Sequence, residues 1–273
     1  MPQLILRHFF YFLLLVSSIA YAATDDSSVK TKWGYEGKIG PKYWGQLSEK
    51  FSLCETGKTQ SPINMPKTAP RKVIKLKVNY ESSNYSIIEE GQTDLDINGN
   101  PTIINNGHTI QVNFHEKRRE QIVFDDQTYK LLQFHFHAPS ETLFDNQSFP
   151  AEIHFVHQGK DGKVAVLGVV IKEGKTNAAL QNIITHLPED IGVEHNIASS
   201  LNPAELLPER KVFFNFMGSL TTPPCSEGLN WIVLQQPIEA SAKQIAAIKK
   251  AIGEPNVRPV QPVNEREITF SGE

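Results

Sequence analysis

The chain has 273 residues, 40% of them hydrophobic, enough for one large domain with a full core. Its formal net charge of −3 gives no electrostatic case for nucleic acid or an anionic membrane surface as partner. Gly and Pro, 17 of each, stand near average usage, which excludes a low-complexity or collagen-like chain.

Residues 1–22 read as a secretory signal peptide. Arg7 and His8 form a basic region, Phe9 to Val16 is an unbroken apolar run, and Ala20-Tyr21-Ala22 fits a small-x-small cleavage site. The run is too short for a comfortable membrane span, and no later segment is long or apolar enough to make one. The expected product is exported, with the periplasm as the first compartment and secretion as the alternative. A short polar leader, 23–32, then precedes a single domain over 33–273, without repeats or a second linker. Cys54 and Cys225 are the two cysteines. In an exported chain such a pair is most simply one disulfide, with two buried free thiols as the alternative.

Along the domain, runs of β-branched and aromatic residues predict strands at Val73–Tyr80, Ile122–Phe124, Lys130–Ala138, Ala151–Gln158 and Val164–Lys172. Asp161-Gly162 is a hairpin signal between the last two. Asn177 caps a predicted helix with Leu180, Ile183, Ile184 and Leu187 on one face. Strands follow at Val212–Gly218 and Leu229–Gln235. Ser241 then caps a second helix carrying Ile245, Ile248 and Ile252, and Gly253 stops it. The fold class expected is mainly β: a large twisted, mostly antiparallel central sheet with a few peripheral helices.

The chemistry concentrates in Gln133-Phe-His-Phe-His137 and Glu152-Ile-His-Phe-Val-His157. On a strand, His135 and His137 point to one face, roughly 6.5–7 Å apart. His154 comes back on a neighbouring strand. Three neutral imidazoles with an open fourth position describe a catalytic zinc site rather than a closed structural one. Gln133 and Glu152 each stand two residues before one of these histidines, on its face, where they can accept its second N–H. His157 faces the other way and reads as structural. His115, His186 and His195 read as surface or packing residues.

With these motifs the chain resembles the alpha-class carbonic anhydrases, of the exported type with a single disulfide. The stretches that carry the resemblance are Trp33-Gly-Tyr35, Gln60-Ser-Pro-Ile-Asn64, Asn105-Asn-Gly-His108, Gln133–His137, Ser140-Glu141, Ala151–His157, Ser219-Leu-Thr-Thr-Pro-Pro224 and Arg258-Pro-Val-Gln-Pro262. The resemblance implies a zinc enzyme that interconverts carbon dioxide and bicarbonate, on a small-molecule substrate. His135, His137 and His154 match the zinc ligands. Gln133, Glu152 and the backbone carbonyl of Asn256 match their acceptors. Thr221 matches the threonine that donates to a glutamate, here Glu141, and receives a hydrogen bond from the nucleophile. His108 matches a proton shuttle, and Tyr35, Asn106 and Gln111 match residues that order a water chain. Val156, Val166, Leu220, Leu229 and Trp231 match an apolar wall for carbon dioxide, with Thr222 beside it. Val166 rests on the resemblance: a two-residue Asp161-Gly162 loop would put Leu167 opposite Val156, and a three-residue loop restores Val166. Cys54 and Cys225 match the single bridge of exported members. The connection from His157 to Val164 is shorter than in many relatives, and no matched catalytic residue is missing.

Two other readings compete. A cupin-type metal oxygenase or isomerase also has His-x-His followed by a glutamate, and would place Glu141 on the metal. An exported zinc-binding protein without catalysis would need none of Thr221, Glu141 and His108. Oligomeric state is open, a homodimer included.

Overall fold

Apolar residues that recur with period two mark the segments of this chain that form strands. The computed structural model describes residues 31–80, 100–114, 119–197 and 201–272. The signal segment, most of the polar leader and His115 lie outside the described residues.

Short helical turns open the domain, among them α1 (Trp44–Leu47) and α2 (Leu53–Thr56). The strands follow as β1 (Asn64–Met65), β2 (Leu76–Asn79), β3 (Thr102–Asn105), β4 (Ile110–Asn113), β5 (Gln121–Phe124), β6 (Gln127–His137), β7 (Leu143–Phe144), β8 (Ala151–Gly159) and β9 (Val164–Glu173). After α3 (Ala178–Thr185) come β10 (Glu194–Asn196), β11 (Phe213–Ser219), β12 (Glu227–Leu234) and β13 (Ile238–Ala240). The chain closes with α4 (Ala242–Ile252) and β14 (Thr269–Ser271). Among the described residues the main sheet has 12 strands, in the order β10-β3-β4-β6-β8-β9-β12-β11-β14, with β5, β2 and β13 attached beside this path. Its pairs are antiparallel except β9 with β12 and β9 with β13. β1 and β7 form a separate parallel pair.

Each predicted strand has a counterpart. The run from Val73 is the most trimmed: strand pairing begins at Leu76, and Val73 is exposed. Both predicted helices form. The Asn177 side chain accepts from the Leu180 N–H, and Ser241 with Gln244 makes a capping box. Gly253, at φ +85°, ends α4 in a conformation that a side chain would resist. Unforeseen were β3 and β4, whose short runs carry polar residues on the open face, and the short strands β1, β7, β10, β13 and β14.

The sheet separates two cores. Phe134, Phe136, Ile153, Phe155, Leu167 and Val169 face the larger one, against Leu180, Ile183, Ile245 and Ile248 of the helices. Ile63, Met65, Val166, Phe216, Leu229 and Trp231 form a smaller cluster on the opposite face. A bulge in β6 governs which side chains go where. Its register against β8 shifts between Leu131 and Gln133 and leaves Leu132 exposed. Before the bulge the odd residues Tyr129 and Leu131 face the larger core; after it the even residues Phe134 and Phe136 do. One extra residue thus releases Gln133, His135 and His137 to the other face.

Candidate metal centre

The register sets the histidines beside one another. His135 on β6 stands directly opposite His154 on β8, and His137 opposite Glu152. The ligand nitrogens of His135, His137 and His154 lie within 4.8 Å of one another. Two of the rings have their tautomers fixed from behind, and the third has a carboxylate beside it. His135 Nδ1 donates to Gln133 Oε1 at 2.8 Å, and His137 Nδ1 to the carbonyl oxygen of Asn256 at 2.7 Å. His154 Nε2 lies 3.1 Å from Glu152 Oε1. On His135 and His137 the nitrogen left over, Nε2, keeps its lone pair. Burial, with the neighbouring rings, pushes the His135 pKa well below the ordinary imidazole value. Burial also lowers that of His137, against the Asn256 carbonyl that raises it. Neutral imidazoles are the form that binds a metal. His137 Nε2 and His154 Nε2 are both buried without a hydrogen-bond partner, and at His137 that is an unmet need a cation would satisfy.

A second layer holds the acceptors. Glu152 takes the backbone N–H groups of Glu141 and Thr142 at 2.9 and 2.8 Å and the Thr142 hydroxyl at 2.7 Å. Burial opposes its ionisation, but the His154 ring and the Thr142 bonds outweigh that and hold its pKa below the ordinary range. Asn256 serves two segments. Its carbonyl holds His137, its Oδ1 accepts from the Ala138 N–H at 2.9 Å, and its Nδ2 donates to the carbonyls of His108 and Phe136 at 3.0 and 2.9 Å.

Glu141 is buried beside the cluster, with Oε2 3.5 Å from His137 Nε2. Its Oε1 accepts the Arg258 backbone N–H at 2.8 Å. Burial raises its pKa to about 7, against lowering by His154, the Arg258 N–H and the Thr221 hydroxyl. Tyr35 remains a phenol, because burial and then the Glu141 charge push its pKa up. Arg258 is itself buried, and its guanidinium donates to Gln60 Oε1, Ser61 O and Cys54 O at 2.8, 2.8 and 2.9 Å. Cys54 and Cys225 are joined by a disulfide, and the Cys225 N–H donates to Thr222 O at 2.8 Å.

The apolar residues come together as one strip. Val156 pairs with Val166, and Val166 with Trp231. The hairpin loop therefore has three residues, Lys160 to Gly162, closed by Gly159 N–H to Lys163 O at 2.8 Å. Leu229 and Trp231 are buried here, with Val156 and Leu220 partly exposed. The Trp231 ring meets the His154 ring edge to face, 4.9 Å between centroids. His108, partly exposed, stacks on Trp33 at 3.8 Å between centroids, and burial lowers its pKa. Asn106 donates to Gln111 at 3.3 Å.

Sequence reasoning gave no role to Thr142, to the Arg258 side chain or to Gly168. Gly168 faces His154 across β8 and β9, where a Cβ would lie only 3.3 Å from Glu152 Oε1. A lone glycine inside the apolar run Val164–Ile171 was the available signal of close approach.

A family model described as eukaryotic-type carbonic anhydrase matches residues 39–272. The carbonic anhydrase of Pectobacterium carotovorum is 40% identical over 254 residues, covering 93% of this chain and 96% of that protein. That of Neisseria gonorrhoeae is also 40% identical over 254 residues, covering 93% of each. The solved alpha-carbonic anhydrase of Thermovibrio ammonificans, in complex with sulfanilamide, superposes with a TM-score of 0.78 at 39% identity, over 88% of this chain and 99% of that one. With its three-histidine cluster seated on the matching sheet, the chain belongs to the eukaryotic-type, alpha-class carbonic anhydrases and is an enzyme of that family.

Proposed function

We propose that the enzyme hydrates carbon dioxide reversibly to bicarbonate and a proton, with a zinc ion held by His135, His137 and His154. The observation that carries this reading is the set of three converging imidazoles, two with tautomers fixed by hydrogen bonds and two, His137 and His154, with a buried Nε2 that has no hydrogen-bond partner. When bound, zinc acidifies water so that hydroxide is available near neutral pH, as is known of carbonic anhydrases. The chain's own residues do the rest. Thr221 commits its proton to the Glu141 carboxylate and so offers the cavity only lone pairs. A nucleophile that bears one proton can then donate to Thr221 and turn its own lone pair to the substrate. The Arg258 N–H holds Glu141 in place for this. Val156, Val166, Leu220, Leu229 and Trp231 give apolar carbon dioxide a wall to rest on, with Thr222 at its polar edge. His108 carries the released proton out along waters ordered by Tyr35, Asn106 and Gln111.

The domain spans 33–273, behind a cleaved signal over 1–22 and a leader over 23–32, and the protein works in the periplasm or beyond. The Cys54–Cys225 bridge supports that compartment. Among the described residues no helix is long and apolar enough to cross a membrane. Family membership removes the cupin alternative. Stopped-flow carbon dioxide hydration, with and without a zinc chelator, tests the reading. Turnover should vanish on chelation and return with zinc; turnover indifferent to chelation would overturn it.

A further inference from the structure

The face that carries the histidines continues past them to the edge of the sheet. Glu194, Ile104, Gln111, His135 and His154 stand directly opposite one another on β10, β3, β4, β6 and β8. Glu194 is three strand spacings from His135, roughly 14 Å, beyond any direct contact with the metal centre. A string of side-chain amides fills the interval. Asn106 Nδ2 donates to Gln111 Oε1 at 3.3 Å, Gln111 Nε2 to Asn113 Oδ1 at 2.6 Å, and Asn113 Nδ2 to Glu194 Oε1 at 2.8 Å. The Thr102 hydroxyl donates to the same Glu194 oxygen. At the inner end, Asn106 Oδ1 accepts the backbone N–H groups of His108 and Thr109, both at 3.0 Å.

Both ends of this string dictate the same polarity. Backbone N–H groups can only donate, so Asn106 must present its oxygen to them and its NH₂ to Gln111. Gln111 must then present its NH₂ to Asn113, and Asn113 its NH₂ to the sheet edge. A carboxylate, which only accepts, is the matching terminus, and its charge strengthens the bond.

We propose that Glu194 is a positioning residue for proton export: it terminates this string as acceptor and keeps Gln111 and Asn106 in one orientation beside the path to His108. The proposal rests on the reading of His108 as proton carrier. Without the acceptor, the Asn113 NH₂ faces only solvent, and a flipped amide there sets donor against donor at Gln111. Waters along the path then lose their fixed partners, while the chemistry at the metal centre is untouched.

The test compares Glu194→Ala and Glu194→Gln with the zinc-loaded wild-type enzyme, by stopped-flow hydration and by ¹H–¹⁵N spectra of the side-chain amides. Glu194→Ala should lower kcat in weak buffer about three- to tenfold, the size of one lost hydrogen bond. Its kcat/KM should stay unchanged, and added imidazole should restore kcat. Glu194→Gln keeps an acceptor oxygen and should keep kcat. The NH₂ signals of Gln111 and Asn106 should move in the Ala variant and hold in the Gln variant. Unchanged kcat and unmoved signals in Glu194→Ala would overturn the proposal. So would equal losses in both variants, or a fall in kcat/KM that tracks kcat. A wild-type kcat indifferent to buffer would instead overturn the proton-carrier reading, and the amide signals would then decide the anchor alone.

Discussion

At the scale of single residues, ligands and their supports should differ in degree. His154→Ala leaves two protein donors, so zinc binding should collapse. Glu152→Ala removes only the group behind His154 and should weaken zinc binding by about 10–100-fold. Metal content of the purified variants checks both; full zinc occupancy in His154→Ala would refute the ligand assignment. His108 and Thr221 separate by kinetics. His108→Ala should keep most of kcat/KM while kcat falls in weak buffer, with rescue by imidazole. Thr221→Ala should lose kcat/KM itself, with no rescue, because the proposed mechanism uses it in the chemical step.

At the scale of elements, β8 divides its histidines between two environments. His154 faces the metal centre, whereas His157 is sealed on the other face. Its Nδ1 donates to Ala165 O at 3.3 Å and its Nε2 accepts from the Tyr80 hydroxyl at 2.5 Å. Burial takes its pKa from 6.5 down to about 3, against the raising by the carbonyl bonds. In the unfolded chain His157 gains a proton as the pH falls through 6.5, while in the folded chain it stays neutral until about 3. Its contribution is therefore complete above pH 6.5 and is lost progressively between 6.5 and 3. The expected slope is about 1.4 kcal/mol per pH unit within that window. His157→Gln should be less stable at neutral pH by about 1–3 kcal/mol, yet lose stability less steeply in acid. Denaturant unfolding at a series of pH values measures both; equal slopes in variant and wild type would show that His157 is not buried neutral.

At the scale of the whole molecule, the disulfide ties distant segments into one ring around Arg258. The carbonyl of Cys54 accepts from the Arg258 guanidinium, and that of Cys225 accepts from Gln60 Nε2 at 3.0 Å, while Gln60 Oε1 accepts from Arg258. The bridge spans 171 positions of sequence. Replacing both cysteines by serine should cost about 2–5 kcal/mol of stability. Turnover should also fall, because the ring lies between the Thr221 loop and Glu141. Denaturant midpoints with and without reductant test the first point. A wild-type midpoint unmoved by full reduction would show that the bridge carries no stability.

The sequence alone determined the strand class, both capped helices, the three-histidine cluster and two of the three groups behind it. Each of these is local: a period of two or 3.6, a cap at a fixed offset, a partner two residues away on the same strand face. Tertiary structure decided what depends on register and on distant segments. The bulge at Leu132 reverses the parity of β6, and alternation by itself would have put Leu131 on the face of His135. The three-residue loop at Lys160–Gly162 brings Val166, not Leu167, opposite Val156. Asn256 reaches His137 across 119 positions, and the Arg258 N–H reaches Glu141 across 117. No local pattern encodes such contacts, because they exist only once strands far apart in the chain have paired and packed.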